Sequence, residues 1–267
     1  MIGPRLVDKP LVLYGYGKLG HLAEEIFNEL KIPILYILDQ KKGSIPPFPK
    51  GDFSKCVEIP TTHLLAICVA TESYEKITTS LRHAGWTDIV PVYDIIEAYP
   101  ETGIHNGWFA GELTDEDRDN ISYVADKWKG DQYSWWYYWM FQEWRINHNE
   151  YALHWEAEDG RGRISSLPST LADIRRRQKA IVWSGGTYHP PITIHTEGKE
   201  LDTLSLNIKW LQKNRPTLSV ACYHSRDGLW KIEKFLMDNL LDYKWTFRLH
   251  AYCGQAAVMY GTPKEKI

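Results

Sequence analysis

The sequence predicts an α/β chain made of two parallel-sheet units joined by an aromatic helical connector. Three observations predict it. Strand and helix periodicities alternate over residues 9–93, the composition turns abruptly to Trp and Tyr over 101–150, and the alternation resumes from Tyr151. Alternating β and α segments argue for parallel pairing, because the helix between two strands returns the chain to the same edge of the sheet. The regions are taken as 1–100, 101–150 and 151–267.

In the first region Leu11-Val12-Leu13-Tyr14 reads as a strand and Gly15 to Gly20 as a turn. Leu19, Ala23, Ile26 and Leu30 then recur at helical spacing. A second strand runs from Pro33 to Leu38 and ends at Asp39, and residues 41–52, rich in Gly, Pro and Lys, read as a loop. Leu64 to Ala70 is a near-continuous apolar strand, Tyr74 to His83 a helix, and Asp88 to Val92 a strand after the turn at Gly85. The turn has the form G-x-G-x-x-G, with a strand before it, a helix after it and an acid closing the next strand. In that Rossmann-like context the glycines let a pyrophosphate approach a helix amino terminus, and the carboxylate holds ribose hydroxyls. Gly15, Gly17, Gly20 and Asp39 are therefore candidate cofactor-binding residues for a nucleotide. The alternative is a tight turn that only packs helix on strand.

In the connector, Thr114-Asp115-Glu116-Asp117 has the form of a helix start, with Thr114 as N-cap and acids in the first turn, and the helix is expected to run toward Lys127. The run from Tyr133 to Trp144 follows. Six of the twelve tryptophans fall between Trp128 and Trp155, so this segment is expected to be a packing hub, since Trp and Tyr bury large areas. A stacking platform for a sugar or base, or a homo-oligomer contact, is its functional alternative.

In the third region Asp159-Gly160 marks a β-hairpin, because Asp-Gly tolerates the positive φ of tight hairpin turns. Leu171 to Gln178 reads as a short helix whose Arg175-Arg176-Arg177 run is expected to be a solvated face, and Ser184-Gly185-Gly186 as a loop. Ile192-Thr193-Ile194 is a strand, and Leu201, Leu204, Ile208 and Leu211 mark a helix. Leu218 to Cys222 is the next strand, a helix lies around Leu229 to Leu240, and Lys244–His250 with Ala256–Tyr260 close the chain as a strand pair. With the first two strands parallel, His195, Glu197, Tyr223 and His224 share the carboxyl edge of one sheet, where ligands of open α/β sheets bind. His195, Glu197 and His224 are the candidate catalytic residues. Imidazole and carboxylate suit an acid–base pair or a metal site. His-x-Glu alone is a weak signal, and sequence fixes no third ligand, His189 and His250 being possibilities and no more; a metal is not expected.

Bulk properties exclude some classes. A net charge of −3 and a pI near 6.4 supply no basic stripe for nucleic acid. No apolar run approaches the roughly 20 residues of a membrane span, and the amino terminus lacks a signal pattern. Cys56, Cys68, Cys222 and Cys253 form no C-x-x-C pair, and two lie in apolar runs; reduced, buried thiols and a cytoplasmic setting are expected.

Ile192-Thr193-Ile194-His195-Thr196-Glu197-Gly198-Lys199-Glu200 resembles the "IKxDxEGxE" element of the FkbM-type methyltransferase family. Arg215-Pro216-Thr217-Leu218 through Tyr223-His224 resembles the "RPxLxxxxYH" strand that follows it there. Asp227 to Trp230, the closing strands, the amino-terminal glycine unit and the acidic connector continue the likeness, which covers most of the chain. The resemblance implies transfer of a methyl group from S-adenosylmethionine to a hydroxyl of a small-molecule or sugar acceptor. Two features depart from the pattern. His195 stands where the family has Asp, and no glycine loop for the methyl donor is visible between Arg145 and Ile192, so the second sheet unit is expected to be shortened. The rival reading is a non-catalytic or repurposed protein that binds a nucleotide or nucleotide-sugar through the Gly15–Gly20 turn. A nicotinamide-dependent oxidoreductase would need a proton donor opposite that turn, and none is identifiable.

Overall fold

Strand β1, Leu11–Tyr14, is buried at all four positions, and so is β3, Leu64–Ile67. An apolar run without alternation is what a strand covered on both faces requires. In the computed structural model, which describes residues 4–39, 62–69, 74–102, 110–147, 170–179, 181–183, 191–250 and 257–267, these strands are the centre of a parallel sheet. Its order is β2-β1-β3-β4, with β2 at Ile34–Leu38 and β4 at Ile89–Pro91. Helix α1, Lys18–Glu29, buries Leu19, Leu22, Ala23, Ile26 and Phe27, the stripe that the helical period selects. Helix α2, Tyr74–His83, and the short α3, Val92–Ile96, complete this unit's set.

The described residues form two compact units, one built on 4–102 with 170–174, the other on 110–147 and 175–267. The second unit opens with α4, Asp115–Trp128. Thr114 accepts the Asp117 amide at 3.1 Å while Asp117 accepts the Thr114 amide at 3.0 Å, so both donors are satisfied reciprocally. Helix α5, Gln132–Ile146, turns Tyr137, Tyr138, Phe141 and Trp144 inward. Trp128, Tyr138 and Phe141 close on the Phe247 ring at 5.9, 5.6 and 5.7 Å between centroids. The hub expected of this segment is real on that side, whereas Tyr133, Trp135 and Trp136 are exposed on the other.

The second sheet has the order β5-β6-β8-β7, with β5 at Ile192–Ile194, β6 at Leu218–Ala221, β7 at Tyr243–Leu249 and β8 at Ala257–Pro263. The short helix α6, Leu171–Arg177, precedes it in the chain. Helix α7, Glu200–Asn214, joins β5 to β6, and α8, Lys231–Asn239, leads from β6 toward β7. β5 and β6 are parallel, while β8 runs antiparallel to both its neighbours, because a chain returning directly from β7 must reverse. Register puts Ile192, Ile194, Leu218, Val220, Met259 and Phe247 on one buried face, and Thr193, Ser219, Tyr260 and Thr246 on the other. Cys68 and Cys222 are buried free thiols, as expected. No described helix is long and apolar enough to cross a membrane. The expected loop at 41–52, the Asp159-Gly160 hairpin, Ser184 to Gly186, Cys56, Cys253 and His189 lie outside the described residues.

Candidate functional site

Parallel pairing of β5 with β6 brings their carboxyl ends side by side. From β5 the chain passes through His195 and Thr196 to Glu197, which holds φ at +49°, then through Gly198 to α7. A non-glycine residue in the left-handed region costs on the order of 1 kcal/mol, and the turn uses it to aim the Glu197 carboxylate back at the strand ends. His195 Nε2 lies 3.1 Å from Glu197 Oε1, and His224, just past β6, puts its Nε2 3.4 Å from Glu197 Oε2. The three residues read from sequence as one site therefore do meet. His195 and Glu197 side chains are about a tenth exposed and His224 less.

Sequence reading missed the residues that hold this triplet. Glu200, the first residue of α7, is buried, and its Oε1 accepts both the Thr196 amide and His224 Nδ1 at 2.8 Å, while its Oε2 accepts the Gly198 amide at 3.0 Å. One carboxylate thus fixes the turn that leads into the helix and sets the His224 tautomer, leaving Nε2 to face Glu197. The available signal was Glu200's place as the closing acid of the IKxDxEGxE-like element, two residues after Gly198. Arg177 of α6 reaches Glu197 Oε1 at 3.2 Å, and Gln178 donates to the Glu197 carbonyl at 3.2 Å. The basic run is solvated only at Arg175 and Arg176; Arg177 is half-buried in the site, because its carboxylate partner, absent from local sequence, arrives through the fold. Tyr223 places its hydroxyl 3.3 Å from His195 Nε2, and buried Arg145 donates to the Tyr223 carbonyl at 3.1 Å.

Burial pulls the pKa of His195 down, and neighbouring His224 adds to it against the pull of Glu197. Burial also opposes charge on His224, but Glu200 and Glu197 together outweigh it and hold its pKa above the ordinary histidine value. For Glu197 and Glu200 desolvation is overcome, chiefly by His224, and both carboxyl groups are held below their usual range. Removing the Glu200 carboxylate strands a buried imidazole and two amides. Glu200→Ala is expected to cost about 3 kcal/mol in urea denaturation, and Glu200→Gln to recover part of it.

The glycine turn of the first unit is equally explicit. Gly15 sits at φ +94° with a Cβ position 2.7 Å from Val69 Cγ2, and a Cβ on Gly20 would lie 2.3 Å from the Gly15 carbonyl oxygen, so backbone conformation and the chain leaving β3 demand the first glycine and the packing of α1 on the turn demands the second. A Cβ added at Gly17 would meet no atom within 4 Å. Asp39 Oδ2 accepts the Tyr16 amide at 2.7 Å, which commits that turn amide to the protein's own carboxylate. A methyl donor of the S-adenosylmethionine type needs a glycine turn and a ribose-holding acid in its own sheet; the described residues of the second unit do not assemble that pair. A separate cleft of about 870 Å³ beside β7 is lined by Trp128, Asp131, Tyr133, Tyr243, Trp245 and Arg248 among others.

No protein-family model matches the chain, and no curated protein is significantly similar to it. Among solved structures, the FkbM methyltransferase of Methylobacillus flagellatus KT matches at a TM-score of 0.55 and 13% sequence identity, over 96% of this chain and 90% of that one. At that identity the match speaks for fold, and it spans both units. The chain has the fold of an FkbM-type methyltransferase.

Proposed function

We propose that the protein is an FkbM-like O-methyltransferase in which His195, Glu197 and His224 activate the hydroxyl of a small-molecule or sugar acceptor, with S-adenosylmethionine as the donor. The observation that carries this reading is the convergence of two imidazoles and a carboxylate at the carboxyl edge of a parallel strand pair, the edge where open α/β sheets hold ligands. Hydroxyl methylation needs the O–H proton removed as the oxygen attacks, and buried imidazole–carboxylate groups do that work. The donor is expected from the fold alone. Incubation with methyl-labelled S-adenosylmethionine and a panel of hydroxyl acceptors is expected to transfer label, with His195→Ala lowering the rate about 100-fold or more. Absence of both label transfer and saturable donor binding in calorimetry would sink the reading.

A second reading, nucleotide or nucleotide-sugar binding at the Gly15–Gly20 turn with Asp39, draws on the open space around Gly17. Because a Cβ there would meet no protein atom, Gly17→Ala is expected to leave thermal stability within about 0.5 kcal/mol. If it also abolishes a nucleotide-induced thermal shift, the turn is a binding site; a shift that survives places nucleotide binding away from Gly17.

A further inference from the structure

We infer that His195, Glu197 and His224 form the binding site of a divalent transition-metal ion of the zinc class. One ligand atom from each lies within 4.8 Å of the other two. The two imidazole–carboxylate approaches, to different oxygens of Glu197, are 3.1 and 3.4 Å, and the imidazole ligand atoms lie within 4.8 Å of each other. A tetrahedral zinc ion with bonds of about 2.0–2.1 Å separates its ligands by about 3.3 Å, so small side-chain rotations admit it. Two imidazoles and one carboxylate are a usual three-residue set for a zinc site that keeps a position open.

Two further observations point to an ion rather than to a closed hydrogen-bond cluster. His224 is 3% exposed, yet its Nε2 has no hydrogen-bond partner and is aimed into the triplet; the 3.4 Å approach to Glu197 fails on angle. Buried ring nitrogens are seldom left this way, and a bound ion is one of the few explanations. His224 Nδ1 is meanwhile held by Glu200 at 2.8 Å, the outer carboxylate that orients a metal-bound histidine and fixes its tautomer. Arg177 serves the Glu197 carboxylate in the same way at 3.2 Å. The two buried carboxylates supply the negative charge that a divalent ion needs.

What the ion would do rests on the O-methyltransferase reading, with the three side chains then acting through the ion rather than as free bases; that it binds does not. In its open position it would take the acceptor oxygen and lower the hydroxyl's pKa. The O–H bond then breaks with its electron pair on oxygen and the proton passes to solvent, leaving an alkoxide for the methyl group.

The test uses untagged full-length protein stripped with chelator and titrated with Zn²⁺ or Co²⁺ alone, read by calorimetry and by the visible absorption of tetrahedral Co²⁺. One equivalent is expected, with the intense Co²⁺ band, and His195→Asn and Glu197→Gln are each expected to weaken binding at least tenfold while the metal-free melting temperature stays within a few degrees. No saturable binding, or affinity unchanged in both variants, overturns the site. Binding without any methyl transfer retires the O-methyltransferase reading and leaves the metal site standing. Methyl transfer insensitive to chelation in protein shown to bind Zn²⁺ overturns the ion's catalytic role.

Discussion

Glu233→Gln is expected to stabilise the protein, by an amount that grows with pH. Glu233 lies in the first turn of α8 with no exposed surface, and neither carboxylate oxygen has a hydrogen-bond partner. Burial drives its pKa well above 4.5; its own backbone amide and the nearby Cys222 thiol ease the charge without meeting hydrogen-bond geometry. In the unfolded chain the group ionises near its ordinary value, whereas the folded protein keeps the proton. Between those two pKa values the native state therefore binds more protons than the unfolded one, so stability is fullest below pH 4.5 and falls as pH rises. The slope is about 1.4 kcal/mol per pH unit until the folded group itself ionises. Glutamine keeps the shape and carries no proton to lose. Urea midpoints of both proteins between pH 5 and 8 read the effect directly, because all other titrating groups cancel in the difference. A difference that stays flat with pH would mean that Glu233 is charged and partnered in the native state.

The regular elements were legible because their signals are local. Leu11–Tyr14 and Tyr74–His83 match the expected strand and helix residue for residue, and the Thr114–Asp117 capping pair could be read from four adjacent letters. His195, Glu197 and His224 were legible as a group because one inference, parallel pairing, puts their strand ends together, and the register bears that pairing out. What the sequence hides is partnership across chain distance. Arg177 reads as one of three surface arginines until α6 brings it to Glu197, twenty residues on. Glu200 reads as an ordinary first-turn acid until His224, twenty-four residues on, arrives at its Oε1. Asp39 illustrates the reverse. Its place at the end of β2 suggests a ribose holder, yet its Oδ2 commits one hydrogen bond to the Tyr16 amide, a pairing that only the folded turn reveals.

Gly228→Ala is expected to cost about 3 kcal/mol and to release metal from the proposed site. After β6 the chain turns through Tyr223 and His224 and folds back at once, with the Gly228 amide donating to the Ser225 carbonyl at 3.0 Å. A Cβ at 228 would lie 2.2 Å from the Cys222 carbonyl oxygen and 3.0 Å from that of Ser225. Both neighbours are backbone, so neither moves aside as a flexible side chain would. Cys222 is also tied through its amide to the Ala257 carbonyl at 2.9 Å. The methyl group must therefore lift the turn from the strand end, and overpacking against fixed backbone costs up to about 3 kcal/mol. His224 sits on the lifted segment, four residues from the substitution, and its Nδ1 must then part from Glu200 or drag α7 with it. Urea denaturation and Co²⁺ absorption on the same preparation test both halves. A loss below about 0.5 kcal/mol would show that the turn relaxes freely, and a full loss of stability with the Co²⁺ band intact would show that His224 keeps its place while the turn moves.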